Sequence, residues 1–258
     1  MYKPITMKYL FTLVILLCFS LAHAQSPDSP DRIATDKGDL TVQPIIHGTL
    51  VLQWNGKTIY FDPYGGADLF KDQPKADMIF ITDIHGDHLN MNTLSQLDWG
   101  KATFYVPQAV MDKLPENMKE RSVVLNNGDS KEAADIKISA IPMYNLPNDE
   151  NARHPKGRGN GYILEMGGKK IYISGDTEDI AEMRELKKVD VAFVCMNLPF
   201  TMDIDQAASA VLDFKPAIVY PFHYRGRGGL SDVAAFKQKV NAGNANIEVR
   251  LKNWYPDN

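Results

Sequence analysis

The sequence predicts an α/β protein built from two similar β-rich halves, and three observations carry that expectation. A hairpin unit occurs twice. Aligned without gaps at an offset of 112, Leu50-Val51-Leu52 to Lys57-x-Ile59-Tyr60 matches Tyr162-Ile163-Leu164 to Lys169-x-Ile171-Tyr172, and Gly56 falls on Gly168. One residue out of that register, K-A-D-M-I-F-I at 75–81 matches K-V-D-V-A-F-V at 188–194, so an apolar strand follows each hairpin. Stretches of helical spacing lie between and after the copies. Two β-rich halves that each expose an apolar face cover it by packing together.

The N-terminus stands apart from that unit. Lys3 and Lys8 precede an apolar run, Leu10 to Leu17, that continues weakly to Ala22, and Ala22-His23-Ala24 is a small-x-small pattern before Gln25. These are the three parts of a secretory signal peptide, expected over residues 1–24. The protein is therefore expected to be exported, to the periplasm or the extracellular space. The apolar run is short for a bilayer span, so no stable span is expected once the signal is removed. An uncleaved anchor is the alternative. Cys18 follows the bulky Leu17, which does not make a lipoprotein cleavage box.

Residues 25–38 are rich in Ser, Pro and Asp and read as a flexible lead-in without a core of its own, ahead of a single domain over 39–258. Within that domain T-V-Q-P-I-I-H, G-T-L-V-L-Q-W and K-T-I-Y-F-D-P are short strands, with Asn55-Gly56 as a hairpin turn. Helices are expected over 91–99 and 107–120, the second broken at Leu114-Pro115. I-K-I-S-A-I alternates as a strand. Gln206 to Phe214 is a helix with Thr201 or Asp203 as cap, and A-I-V-Y-P-F-H is a buried strand ending in His223. Ser231 is the expected cap of a last helix, Asp232 to Val240, with Gly243 past its end. I-E-V-R-L-K closes the chain as a strand.

Composition bounds the partners. The chain of 258 residues, 44% hydrophobic and 23% charged, is that of an ordinary globular protein. Loss of residues 1–24 removes two lysines and no acids, taking the net charge from −4 to −6. An acidic chain argues against general nucleic-acid binding. The mature chain keeps one cysteine, Cys195, inside V-D-V-A-F-V-C-M. It can form no intrachain disulfide and reads as a small buried hydrophobe. The oligomeric state is not legible.

Chemistry concentrates in M-I-F-I-T-D-I-H-G-D-H-L, residues 78–89. An apolar strand stops at Thr82, and the next residues carry two carboxylates and two imidazoles, Asp83, His85, Asp87 and His88. Oxygen and nitrogen donors converging at a strand end suit a divalent metal. The pattern resembles the H-x-H-x-D-H signature of the metallo-β-lactamase superfamily, with Asp83 where the first His usually stands. Asp176 in I-Y-I-S-G-D-T and His223 in I-V-Y-P-F-H resemble that family's bridging aspartate and last histidine. His47, in I-I-H-G-T-L, resembles a segment of the branch that includes ascorbate-phosphate lactonases and N-acylphosphatidylethanolamine phospholipase D. The resemblance covers about residues 40–250.

It implies a four-layer αββα sandwich with a metal site at one edge between the halves. It also implies that Asp87, His88 and His223 hold one ion, that His85, with Asp83 and His154, holds the other, and that Asp176 bridges. An activated hydroxide would then attack an ester-like centre, with Asp87 and His85 central to catalysis. Asn145 stands where the family has a further His. His154, nine residues on, is a substitute ligand, a substrate contact or a surface residue. Asp83 is a ligand or an acceptor that orients His85. Its charge moves the preference from zinc, the expected metal, toward manganese or iron, with one or two ions per chain.

His47, Asn145 and Arg225 are candidate substrate contacts. Arg153, Lys156 and Arg158 flank His154, and Arg225 and Arg227 follow His223, so the small-molecule substrate is expected to be anionic. The expected function is an exported metal-dependent hydrolase of a small ester, lactone or phosphodiester. The alternatives are a non-catalytic metal-binding envelope protein on the same fold, and an envelope interaction module that needs no metal.

Overall fold

A computed structural model of the chain describes residues 29–256; the signal-peptide segment, 1–24, lies outside them. The first half contains β1 (Asp31–Thr35), β2 (Gly38–Ile46), β3 (Thr49–Trp54), β4 (Lys57–Phe61), β5 (Met78–Phe80), α1 (Met91–Gln96), β6 (Thr103–Val106), α2 (Gln108–Met111), α3 (Glu116–Lys119) and β7 (Ser122–Val124). The second contains β8 (Ser130–Ala133), β9 (Ile136–Met143), β10 (Gly159–Met166), β11 (Lys169–Ile173), α4 (Ala181–Arg184), β12 (Val191–Cys195), α5 (Ile204–Phe214) and β13 (Ile218–Phe222). It ends with the small hairpin β14 (Arg225–Gly226) and β15 (Gly229–Leu230), then α6 (Val233–Gly243) and β16 (Glu248–Val249).

The internal repeat is the architecture. Each half is a seven-stranded sheet, ordered β1 to β7 in one and β8, β9, β10, β11, β12, β13, β16 in the other. In each, three antiparallel pairings are followed by three parallel ones. β4 and β11, the matched hairpin arms, occupy equivalent places. Parallel strands covered on both faces need continuous apolar sequence, and β5, β12 and β13 supply it as M-I-F, V-A-F-V-C and I-V-Y-P-F.

Period-two alternation sorts side chains between two cores. From the first sheet Leu50, Leu52, Ile59, Phe61 and Phe80 face the second sheet, while Val51, Tyr60, Ile79 and Phe104 face outward under Leu94, Val110 and Met118 of α1 to α3. Phe61, Phe80 and Tyr105 stack at 4.7 and 4.9 Å, and Tyr162 from the other sheet meets Phe80 edge-on at 5.0 Å. Its buried hydroxyl donates to Ile81 O and Tyr105 O, both at 3.2 Å, tying the sheets together directly beneath the loop that starts at Thr82. On the far side α5 and α6 cover the second sheet with Val211, Phe214, Phe236 and Val240. Helix, sheet, sheet, helix is the expected four-layer sandwich.

Several local expectations need correction. The described part of the expected lead-in is structured: residues 31–35 form edge strand β1, paired with β2, and Ile33 enters the core. Asp31, Arg32 and Thr35 made that stretch read as coil, but Ile33 between them is buried. The last helix is capped by Asp232, which accepts from Ala235 N at 2.9 Å, and not by Ser231, whose hydroxyl donates to Met196 O. Gly243 ends that helix instead of following it. α5 is capped by Asp203 in a reciprocal box with Gln206, and Thr201 is not the cap. The closing strand is only Glu248–Val249. No helix among the described residues is long and apolar enough to cross a membrane.

Candidate functional site

The parallel strands of both sheets deliver their carboxyl ends to one edge, the usual place for a site in such sheets. Asp62 follows β4, Thr82 to His88 follow β5, Asp176 follows β11, Asn197 follows β12 and His223 follows β13. The loop after β5 is fixed from several sides. Asp62 accepts from Thr82 N at 2.7 Å and Thr82 Oγ1 at 2.6 Å. His88 N and Leu89 N turn back to His85 O, and Asn90 caps α1 while reaching Gly86 O.

The structure brings Asp83, His85, Asp87, His88, His154, Asp176 and His223 together as two clusters about one carboxylate. In one, His88 Nε2 lies 3.3 Å from Asp176 Oδ2, and His223 Nε2 lies 3.3 Å from Asp176 Oδ1 and 3.3 Å from His88 Nε2. Asp87 Oδ2 closes that side, 3.6 Å from His223 and 4.0 Å from His88. In the other, His154 Nε2 lies 3.2 Å from Asp176 Oδ2, and Asp83, His85 and His154 offer donor atoms within 4.8 Å of one another.

Three of the imidazoles, those of His88, His154 and His223, are held by their other nitrogen, which is how a ligating ring is aimed. His88 Nδ1 donates to Asp62 Oδ2 at 2.8 Å, and His154 Nδ1 donates to Asn145 Oδ1 at 3.1 Å. His223 Nδ1 sits 3.0 Å from the Asn197 amide, whose Oδ1 has no partner; the amide turned half a rotation presents that oxygen to Nδ1–H. His223 itself is in the left-handed backbone region, and its ring presses on Gly48, where a Cβ would stand 2.7 Å from Cδ2. His154 is fully buried, so the surface alternative falls away. Asn145 is engaged within the protein: its amide donates to Glu178 and Phe200 O, and its side-chain oxygen accepts from His154.

Asp83 is fully buried, and Arg158 grips it with Nε at 3.1 Å and Nη2 at 3.0 Å, one contact to each oxygen. His85 Nδ1 is 2.6 Å from Asp83 Oδ2 but has no aligned hydrogen bond. Burial works to raise the Asp83 carboxyl; His85, His88 and Arg158 outweigh it and hold it well below the usual range. Arg158 thus cancels the extra negative charge that Asp83 brings. Arg158 and Lys156 belong to ion pairs, Lys156 with Glu182, and neither faces the cleft.

The open cleft over the clusters, about 310 Å³, is lined by His47, Asp87, Asp176, Asn197 and Phe200 with Arg153, Arg225 and Arg227. Burial, reinforced by nearby His223, lowers the His47 pKa to about 4, so the ring is neutral at pH 7. A carboxylate only accepts, so His47 Nε2–H donates to Asp87 Oδ2 at 3.1 Å and Nδ1 accepts from Tyr255 O–H at 2.6 Å. Burial raises Cys195 to about 11, and its thiol points at Thr177 O, away from any nucleophilic role.

A divalent cation fits this donor set. His85 Nδ1, His154 Nε2 and Asp176 Oδ1 are buried without a hydrogen-bond partner among the described residues. Each such orphan costs about 1–3 kcal/mol unless something satisfies it. The sequence reading missed Asp62, Asn197 and Tyr255. Asp62 carried a readable signal: it ends a buried strand in Y-F-D-P, one strand before the ligand loop.

Comparison with known proteins agrees with this geometry. A profile of the beta-lactamase superfamily domain matches residues 41–223. A UPF0173 metal-dependent hydrolase of Staphylococcus saprophyticus is 32% identical over 216 residues, 78% of this chain and 94% of the relative. A solved structure from Parabacteroides distasonis, described as a metal-dependent hydrolase, superposes with TM-score 0.77 at 36% identity, covering 87% of this chain and 98% of that one. A metallo hydrolase from Ignicoccus hospitalis superposes with TM-score 0.71 at 25% identity, covering 83% and 95%.

Proposed function

This chain belongs to the beta-lactamase superfamily and, within it, to the UPF0173 metal-dependent hydrolases, and on that premise we propose that it hydrolyses a small anionic ester, lactone or phosphodiester outside the cytoplasm. The observation that carries the reading is the set of buried, partnerless donors gathered about Asp176. Asp87, His88 and His223 would hold one divalent ion, His85 and His154 a second with Asp83 beside them, and Asp176 both. Such ions polarise a carbonyl or phosphoryl oxygen and bring the pKa of water near neutrality. Zinc is the first choice. The Arg158–Asp83 pair removes most of the anionic bias that favoured manganese or iron.

The chain's own residues do the rest. Asp62, Asn145 and Asn197 keep the Nε2 atoms of His88, His154 and His223 directed inward. The neutral His47 holds its Nε2 proton on Asp87 and fixes that carboxylate against the cleft. His47 in the cleft wall supports the lactonase and phosphodiesterase-like branch. Arg225, stacked 4.5 Å from the Tyr255 ring, supplies positive charge at the mouth. Export rests on Lys3, Lys8, the apolar run and Ala22-His23-Ala24.

Metal quantification beside a panel of ester, lactone, phosphodiester and β-lactam substrates tests the proposal. Turnover that requires bound metal and falls more for anionic than neutral esters in Arg225→Ala supports it. Bound metal with no turnover on any substrate overturns it in favour of a non-catalytic metal-binding protein.

A further inference from the structure

Three guanidiniums gather at the mouth of the cleft without a carboxylate partner. Arg158, Arg184 and Arg250 are all ion-paired, but no ion pair to Arg153, Arg225 or Arg227 occurs among the described residues. Aromatic faces hold them instead. The Arg153 guanidinium lies 4.3 Å from the centroid of the Phe200 ring and that of Arg227 lies 5.5 Å from the same centroid, while Arg225 lies over Tyr255. Cation–π contact sets the position of a guanidinium but leaves its charge and its N–H donors uncommitted. Like charges lining one cleft repel one another, and an anion between them relieves that repulsion.

The backbone fixes the arrangement. Leu198 O accepts from Arg227 N at 2.9 Å, and a Cβ on Gly226 would stand 1.7 Å from that oxygen, so the β14–β15 hairpin locks onto the Leu198–Phe200 segment only through a glycine. Phe200 O accepts from Asn145 Nδ2 at 2.8 Å. Arg153 O accepts from Arg158 Nη2 at 2.6 Å, which ties the third arm to the Asp83 pair. These arginines are therefore parts of one frame, not independent loop charges.

Charge selects the ligand. The cleft wall carries three arginines against two carboxylates, Asp87 and Asp176, so basic groups outnumber acidic ones there. A planar fork with several donors suits tetrahedral oxyanions, and more than one fork suits more than one negative charge. We propose that Arg153, Arg227 and Arg225, framed by Phe200 and Tyr255, form an anchoring subsite for a dianionic phosphate group of the substrate, beside the hydrolytic site. This rests on the hydrolase reading for the word substrate; the subsite itself does not require turnover.

The test separates the two. Inorganic phosphate is titrated calorimetrically into the full mature protein after chelation of metal, at a pH where phosphate is a dianion. Saturable binding is expected, weakened about tenfold or more in Arg153→Gln and Arg227→Gln, with circular dichroism and re-acquired metal unchanged. In metal-loaded enzyme the same variants raise KM for a phosphorylated ester and leave KM for its neutral analogue alone. Equal phosphate binding by wild type and variants overturns the subsite. So does acetate binding as tightly as phosphate, or phosphate binding that appears only after metal is restored. Phosphate binding without hydrolysis of any substrate would instead leave the subsite standing and remove the hydrolase proposal.

Discussion

On one side of Asp176, His88 and His223 are backed by Asp62 and Asn197; on the other, His154 is backed by Asn145, while His85 lies against Asp83 without an aligned hydrogen bond. The first side is assembled from strand ends of both sheets, and its supports lie on rigid β4 and β12 termini. The second depends on the long connection between β9 and β10, which closes on itself where Asn145 N reaches His154 O at 2.9 Å and His154 N reaches Asn145 Oδ1 at 2.9 Å. They also handle charge differently. Asp62 shares its charge with His88 and a threonine hydroxyl, whereas Asp83 is neutralised by a guanidinium. A buried carboxylate beside the histidines is thus accommodated once by strand register and once by an ion pair across the sheets.

Asp176 serves both sides, so its loss should have the largest effect. Asp176→Ala is expected to abolish metal retention at both clusters, beyond the roughly 10–100-fold typical of a supporting residue. Full metal content in that variant, measured by elemental analysis, would break the comparison at its root. Next is Arg158→Gln, which strands a fully buried carboxylate; we expect a loss of about 3 kcal/mol in denaturant unfolding of the metal-free protein. Asp83→His with Arg158→Gln removes the stranded charge and should recover most of that loss. No recovery would mean that Arg158 stabilises the fold by packing alone.

Asp62→Asn and Asn145→Ala compare the two supports directly. Each is expected to weaken metal binding about 10–100-fold, and each on its own side. Without metal, the buried His88 is pushed well above 6.5 by Asp176 and Asp62, although burial opposes this. Metal binding at neutral pH should therefore release a proton from His88, and affinity should rise with pH. Calorimetry in buffers of different ionisation enthalpy reads that release; Asp62→Asn should diminish it and Asn145→Ala should not.

The smallest effect concerns His47. Its pKa falls from 6.5 to about 4 on folding, so the unfolded chain binds more protons in that window. Its contribution is present above pH 6.5 and is lost as pH falls toward 4. His47→Gln should flatten the acid limb of stability in the metal-free protein over that range. An unchanged acid limb would show that His47 titrates alike in both states.

The double hairpin, the apolar parallel strands and the ligand types were legible in order along the chain, because each depends on local pattern: period-two alternation, turn residues and donors at strand ends. Asp83, His85, Asp87, His88, Asp176 and His223 could be picked out as residues without a structure. Of their supports only Asp62 left a signal, at the end of the buried strand in Y-F-D-P. Asn197 looks like an ordinary strand-end residue, and Tyr255 lies near the chain terminus with no motif around it. The protein partners of Asn145 and Arg158 were equally hidden, because both types read as substrate-facing until those partners are known. The edge strand β1 was hidden by its polar composition, since pairing and one buried Ile33 place it there.

By itself, then, the sequence determined two matched β halves and a set of oxygen and nitrogen donors at the ends of their buried strands. Only the packing of the halves decided which donor faces which, that His154 is buried at the site, and that Arg158 balances Asp83 while Arg153, Arg225 and Arg227 line the cleft with no ion pair among the described residues. The reason is distance along the chain. Alternation and turn chemistry act over a few residues, but the charge and orientation of a site are sums over groups that meet only when the two sheets close on one another.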